Sequence, residues 1–365
     1  MQFSKLRSGA RFNLSGSGMF SYPLRKLGLS LEDLEINGEN AYGYPPLKEA
    51  IAHRYQVDAD HVVTAAGTSF ANYLALAAVA EPGEEILVEW PTYELILSTA
   101  EYLGLKVRRF RRNARTFEID LDSLADGISP DTRAIVLCNM HNPSSQFTDE
   151  TTLNKIGEMA RRVRAKVIVD EVYRELLWED KPRSVVRLDE DTFISTSSLT
   201  KAYGLSGIRC GWVLASRELC DRMWRINDLH AATPVHPGEL IATRAFARLD
   251  TIQREMKEVL DKNRARLHEW LKRRPELSVL WPQHGTVVFP RLVTGDVDEF
   301  AEFFRMQFDG SIVPGRYFEM PDHLRIGVGL STEEVEASLL KLGEALESFS
   351  CRQADATLSA FDRRS

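Results

Sequence analysis

Between about Pro46 and Ala245, short apolar runs alternate with longer segments whose apolar residues recur at helical spacing. The runs His61 to Ala65, Glu85 to Glu89, Ala134 to Cys138, Lys166 to Val169 and Thr192 to Thr196 are predicted strands, rich in β-branched residues. Strands separated by helical segments point to a mostly parallel sheet covered by helices, because parallel neighbours need a long crossover connection. From Arg217 to Arg274 helix formers dominate, interrupted by Pro234 and Pro237, and one long connecting helix is predicted over about Leu240 to Lys272. The last third predicts strands at Thr286 to Phe289 and Leu324 to Val328, and helices at Asp298 to Gln307 and Thr332 to Ser348. The second of these helices opens on a capping box, Ser331 to Glu334.

This pattern divides the chain into a large α/β domain over residues 46–245 and a smaller α+β domain built from residues 1–45 and 246–350. Residues 351–365 read as a polar tail. A length of 365 residues suits two packed units. A net charge of -7, with both signs interspersed, offers no broad basic face, so nucleic acid is not an expected partner. The chain has no apolar run long enough to cross a bilayer and no charged-then-apolar leader at Met1, so no membrane partner is expected. Cys138, Cys210, Cys220 and Cys351 are scattered without a C-x-x-C pair. Neither a metal site nor a disulfide framework is expected, and a reducing cytoplasm fits.

Candidate chemistry gathers at three predicted strand ends. The strand ending at Val169 delivers Asp170-Glu171-Val172-Tyr173, a carboxylate at the edge where open α/β proteins bind ligands; an aspartate there also suits a helix cap or turn. The strand ending at Cys138 delivers Asn139-Met140-His141-Asn142-Pro143, which reads equally as an ordinary Asn-Pro turn. The strand ending at Ala65 runs through Gly67 into Thr68 and Ser69, where free helix amides and hydroxyls suit an anion. A fourth stretch, Ser197 to Arg209, places the single amine of Lys201 among hydroxyls and glycines, although loop lysines are commonly just solvated charges.

Taken in order, Tyr42-Gly43-Tyr44-Pro45, Gly67-Thr68-Ser69, Pro91-Thr92-Tyr93, Asn142-Pro143, Asp170-Glu171-Val172-Tyr173, Ser198-Leu199-Thr200-Lys201 with Arg209, and Arg325 resemble the class I/II aminotransferases of pyridoxal-phosphate fold type I. The resemblance covers most of the chain. It implies a large domain with a mostly parallel seven-stranded sheet between helices, a smaller α+β domain, and pyridoxal 5'-phosphate as cofactor. It implies that Lys201 carries the cofactor as a Schiff base and moves the proton, and that Asp170 faces the pyridine nitrogen. Tyr173 and Asn142 would bond the cofactor's phenolic oxygen, and Tyr93 would stack on its ring. Gly67, Thr68, Ser69, Ser198 and Arg209 would cradle the phosphate, joined by Tyr42 of a second subunit, so a homodimer is implied. Arg325 would clamp the substrate α-carboxylate, with a structural salt bridge as the other reading. Leu14-Ser15-Gly16-Ser17-Gly18 resembles the segment that closes over substrate, and reads equally as an ordinary entry loop.

The implied activity moves an amino group between an L-amino acid and a 2-oxo acid. β-Elimination, decarboxylation and cyclising synthase chemistry remain open on the same fold. A pyridoxal-phosphate-sensing regulator is disfavoured because the forty or so residues before Tyr42 lack a basic helical head. Two departures stand out. Ser144-Ser145 follows Pro143 where the family has Thr-Gly, which removes a residue suited to positive φ. His284-Gly285-Thr286 stands where relatives often have a glycine pair. Arg316 is a candidate contact for an acidic substrate side chain.

Overall fold

The computed structural model describes residues 6, 9–178 and 182–362, apart from the side chains of 354–362. Two compact units emerge. The larger comprises residues 21–257 with 283–285, and the smaller comprises 1–20, 258–282 and 286–365.

The larger unit is built on seven strands: β1 (Val62–Ala65), β2 (Glu85–Trp90), β3 (Lys106–Arg111), β4 (Thr132–Cys138), β5 (Lys166–Asp170), β6 (Phe193–Ser198) and β7 (Gly211–Leu214). Their order is β1-β7-β6-β5-β4-β2-β3, and only β7 runs antiparallel to its neighbours. The resemblance implied this sheet, and it is present. Alternate residues of β2, β4 and β5 supply opposite cores, as a pleated strand requires. Ile86, Val88, Ala134, Val136 and Ile168 join one cluster, while Leu87, Ile135, Leu137, Val167 and Val169 join the other.

Helices α1 (Pro45–Tyr55), α2 (Thr68–Val79), α3 (Glu94–Tyr102), α4 (Leu121–Gly127), α5 (Glu150–Val163), α6 (Arg217–His230) and α7 (His236–Phe246) belong to this unit. α2 is nearly all Ala, Leu and aromatic beyond its first turn, and packs against β5, β6, β7 and α6. The long helix predicted from Leu240 is interrupted: α7 ends at Phe246 and α8 (Leu249–Leu271) begins three residues later. No proline or glycine marks this break. Instead Arg248 turns its guanidinium toward Lys26 O (3.4 Å) and Gly28.

Residues 21–45 and 246–257, assigned by sequence to the smaller domain, fall in the larger unit. The backbone explains their placement. Tyr22 N donates to Gly204 O (3.0 Å) and Tyr44 N to Glu239 Oε2 (2.8 Å), while Lys26 meets Glu255 at 2.5 Å.

In the smaller unit, β8 (Val287–Val288), β9 (Val313–Pro314) and β10 (Leu324–Gly327) form an antiparallel sheet in the order β8-β10-β9. Helices α9 (Val297–Phe308) and α10 (Thr332–Asp362) pack through aromatic contacts such as Phe300 on Phe349, 5.4 Å between centroids. The capping box at Ser331 is formed: Ser331 N donates to Glu334 Oε2 at 3.0 Å and Glu334 N to Ser331 Oγ at 3.3 Å. The backbone of α10 continues to Asp362, so the stretch predicted as a tail is helical to that point.

The N-terminal segment is laid along this unit. Phe12–Asn13 pairs in parallel with Gly310–Ser311, and Gly327 N donates to Leu14 O at 2.8 Å. A Cβ at Gly327 would lie 1.7 Å from Gly16 O, so only glycine lets the two backbones meet.

Candidate active site

Four sequence-predicted groups meet at one edge of the larger unit's sheet, where β1, β4, β5 and β6 end and β7 begins. Cross-strand pairing aligns them: Cys138 opposes Asp170, Asp170 opposes Thr196, and Gly211 is paired with both Ala65 and Ser198.

Asp170 closes β5 and is buried. Its Oδ1 accepts from Val172 N (3.0 Å) and its Oδ2 from Asn72 Nδ2 (2.9 Å). Burial raises the pKa of its carboxyl. The Asn72 and Val172 donors and the charge of Lys201 oppose that rise. Tyr173 lies three residues on, buried at the start of a tight turn over Arg174–Leu177, and Lys201 Nζ stands 5.9 Å from its ring centroid. Lys201 itself is half-buried in the loop after β6.

The predicted phosphate residues come together too. Gly67, at φ 84, caps α2, and Thr68 Oγ1 donates to Ser198 Oγ at 2.8 Å. The Arg209 guanidinium packs against Gly67, where a Cβ would fall 2.3 Å from its Nη2, and donates to Ala66 O at 2.8 Å. Ser69 is exposed one residue into the helix. The first amides of α2 have no intrahelical acceptor, so hydroxyls, amides and a permanent cation face one region, a donor set suited to a phosphate dianion.

Asn142 is buried in the loop after β4, and Tyr93 is half-buried immediately before α3. The missing Thr-Gly turn is replaced rather than distorted. Ser145 adopts positive φ itself (62°), and a buried network holds the loop: Gln146 N donates to Ser144 Oγ (3.2 Å), which lies 2.6 Å from His141 Nδ1. His141 Nε2 lies 3.0 Å from Pro91 O. A carbonyl only accepts, so Nε2 carries the proton and Nδ1 accepts from Ser144. Burial and then the nearby Arg112 charge hold His141 well below the usual imidazole range, which keeps it neutral. Gly285 makes room: a Cβ there would meet Ser145 Oγ at 2.4 Å.

Tyr42 is exposed. Its ring lies 5.7 Å from Trp224, and the Arg225 guanidinium lies 4.5 Å from its centroid. In the smaller unit, Arg325 is buried in β10, donates to Ser15 O at 3.0 Å and lies 5.0 Å over the Phe318 ring. Gly16 is exposed beside it. The segment around Gly16 is held in place here, since Thr286 Oγ1 donates to Ser17 O at 2.7 Å. Arg316 is already engaged, ion-paired with Asp298 at 2.6 Å and bonded to Tyr317 Oη at 3.1 Å.

Sequence reasoning passed over Asn72, Thr196 and a buried cluster around Glu175. Helical spacing carried a signal for the first, because Asn72 lies four residues after Thr68 on the same face of α2. In the cluster, Glu175 accepts from Arg54 (2.8 and 2.6 Å), from Tyr55 Oη (2.7 Å) and from Tyr203 Oη (2.9 Å). Among the described residues, no group of three or more His, Cys, Asp or Glu could hold a metal, and no helix is long and apolar enough to cross a membrane.

With an acid, an amine and an anion cradle at one sheet edge, the chain defines a pyridoxal-phosphate-type site on an aminotransferase fold. The sequence profile described as Aminotransferase class I and II matches residues 32–342, and the chain belongs to this family. It is 29% identical to capreomycidine synthase of Streptomyces vinaceus over 92% of this chain and 90% of that protein. It is 28% identical to arginine–pyruvate transaminase of Pseudomonas aeruginosa over 84% of this chain and 80% of the relative. A crystal structure of a PLP-dependent aminotransferase from Streptococcus suis superposes with a TM-score of 0.88 at 26% identity, covering 95% of this chain and 96% of that one.

Proposed function

We propose that this protein transfers an amino group between an L-amino acid and a 2-oxo acid, with pyridoxal phosphate as cofactor. The observation that carries this reading is the meeting of Lys201, Asp170 and the Thr68–Ser198–Arg209 cradle at one sheet edge. The bound cofactor supplies an electron sink for charge developing at the substrate's Cα.

Lys201 would offer the amine that holds the cofactor covalently, and its free amine would move the proton at the substrate's Cα. Asp170 would place negative charge at the ring nitrogen. Gly67, Thr68, Ser69, Ser198 and Arg209 would hold the phosphate, while Asn142 and Tyr173 would bond the ring oxygen and Tyr93 would stack on the ring. Arg325 clamps the substrate carboxylate, a bidentate pairing that orients Cα–H, beside Gly16.

Homodimerisation, with Tyr42 reaching a second subunit's phosphate, fits the exposure of Tyr42 and of Leu31, Ile36 and Val235 on the larger unit. A cytoplasmic setting fits the four cysteines, all free thiols. The relation to capreomycidine synthase favours one second reading, a cyclising synthase on the same site.

The test is incubation with pyridoxal phosphate and single amino acids, with and without a 2-oxo acid. Paired oxo-acid and amino-acid products that need the acceptor are expected. A cyclised product formed without any acceptor overturns transamination in favour of the synthase. Lys201→Ala should fold yet lose borohydride-fixable cofactor and fall at least about 10³-fold in turnover. Full turnover by that variant overturns the assignment of Lys201.

A further inference from the structure

Asp170 is held from two sides, and one of its partners comes from the helix whose first turn contributes to the anion cradle. Asn72 Nδ2 lies 2.9 Å from Asp170 Oδ2, and its Oδ1 lies 2.5 Å from Thr196 Oγ1. Because an ionised carboxylate only accepts, the amide must turn its NH₂ toward Asp170, and the Thr196 hydroxyl must donate to Oδ1. The reverse orientation would set two acceptors against each other. Thr196 is fully buried and sits directly opposite Asp170 across the β5–β6 pair, so the amide has a fixed anchor.

We propose that Asn72 is a positioning residue for Asp170, its Thr196-anchored amide keeping the carboxylate ionised and aimed at the cofactor's ring nitrogen. This role rests on the assignment of Asp170 given above.

Two arguments support it. A donor-only contact stabilises the carboxylate against its acid, and with Val172 N on Oδ1 each oxygen carries one donor and retains a free lone pair. The second argument is one of spacing. Thr68 and Asn72 are one turn apart on α2, about 6 Å along the helix. Their partners Ser198 and Thr196 are two residues apart on β6, about 6.6 Å along the strand. Helix and strand therefore match, and one face of α2 fixes both the phosphate end of the site, through Thr68–Ser198, and the ring-nitrogen end, through Asn72–Thr196–Asp170.

The experiment compares equilibrium binding of pyridoxal phosphate with binding of its analogue in which carbon replaces the ring nitrogen. Asn72→Leu removes the donor at similar volume. We expect about tenfold weaker binding of pyridoxal phosphate and unchanged binding of the carbon analogue, the scale of one lost hydrogen bond to a charged group. If Asn72→Leu does not fold, Thr196→Val tests the anchor, with about threefold weaker binding of the natural cofactor alone expected. Equal loss for both ligands, or no loss for either, overturns the role of Asn72. A wild-type protein that binds both ligands equally overturns the assignment of Asp170 instead, and the role of Asn72 with it.

Discussion

At position 145 a serine does what the family's glycine does, at positive φ, and its side chain is accommodated because residue 285 has none. Gly285, itself at φ 98, cannot gain a Cβ without meeting Ser145 Oγ at 2.4 Å. Gly285→Ala should therefore cost about 1–3 kcal/mol in denaturant unfolding, combining backbone strain with overpacking. Part of that loss should return in the Ser145→Gly/Gly285→Ala double variant. Additive losses in that cycle would show that the two residues are not coupled. The departure visible in the sequence at Ser144-Ser145 thus has its counterweight in the other visible departure, His284-Gly285. Their connection was not legible, because 140 or so residues separate them and no pattern in the chain pairs them.

Between elements, the Glu175 cluster ties α1, the turn after Tyr173 and the loop after Lys201 into one unit. The side chains of Arg54 and Glu175 are 10% and 2% exposed, so removing one partner leaves a charge stranded away from water. Glu175→Ala should destabilise the protein by about 3–5 kcal/mol, measured by chemical denaturation, whereas Glu175→Gln should cost less because its one remaining carbonyl oxygen can still accept from a tyrosine hydroxyl. Equal losses for the two would mean that the stranded Arg54 charge, common to both variants, sets the whole cost and the hydrogen bonds add nothing.

The elements themselves were read unevenly from sequence. Strands such as β4 and β5 announced themselves by uninterrupted apolar, β-branched runs. β3, Lys-Val-Arg-Arg-Phe-Arg, was invisible because an edge strand shows mostly solvent and needs little apolar surface. The break between α7 and α8 was invisible for the opposite reason. Its cause is tertiary, the docking of Arg248 at Lys26 and Gly28, and local helix propensity runs straight through it.

For the molecule as a whole, ordered motifs along most of the chain made the family legible, while the boundaries of the compact units were not, because residues 21–45 join the larger unit through contacts with residues more than 170 positions away. The exposed apolar side chains of Leu31 (88%), Ile36 (78%) and Val235 (69%) suit a covered face. Sedimentation equilibrium should give twice the chain mass, and Tyr42→Phe should weaken phosphate retention without dissociating the pair. A monomer that binds cofactor at full strength would remove the proposed role of Tyr42.

The closeness of Gly327 to Gly16 reaches beyond the site. The chain from Phe12 to Ser17 pairs with backbone groups at Gly310–Ser311 and Gly327 and accepts from the Thr286 hydroxyl. Trimming the protein back to Met19 would therefore bare a ready template for strand addition, and the shortened protein should self-associate into aggregates even with every proposed cofactor contact intact.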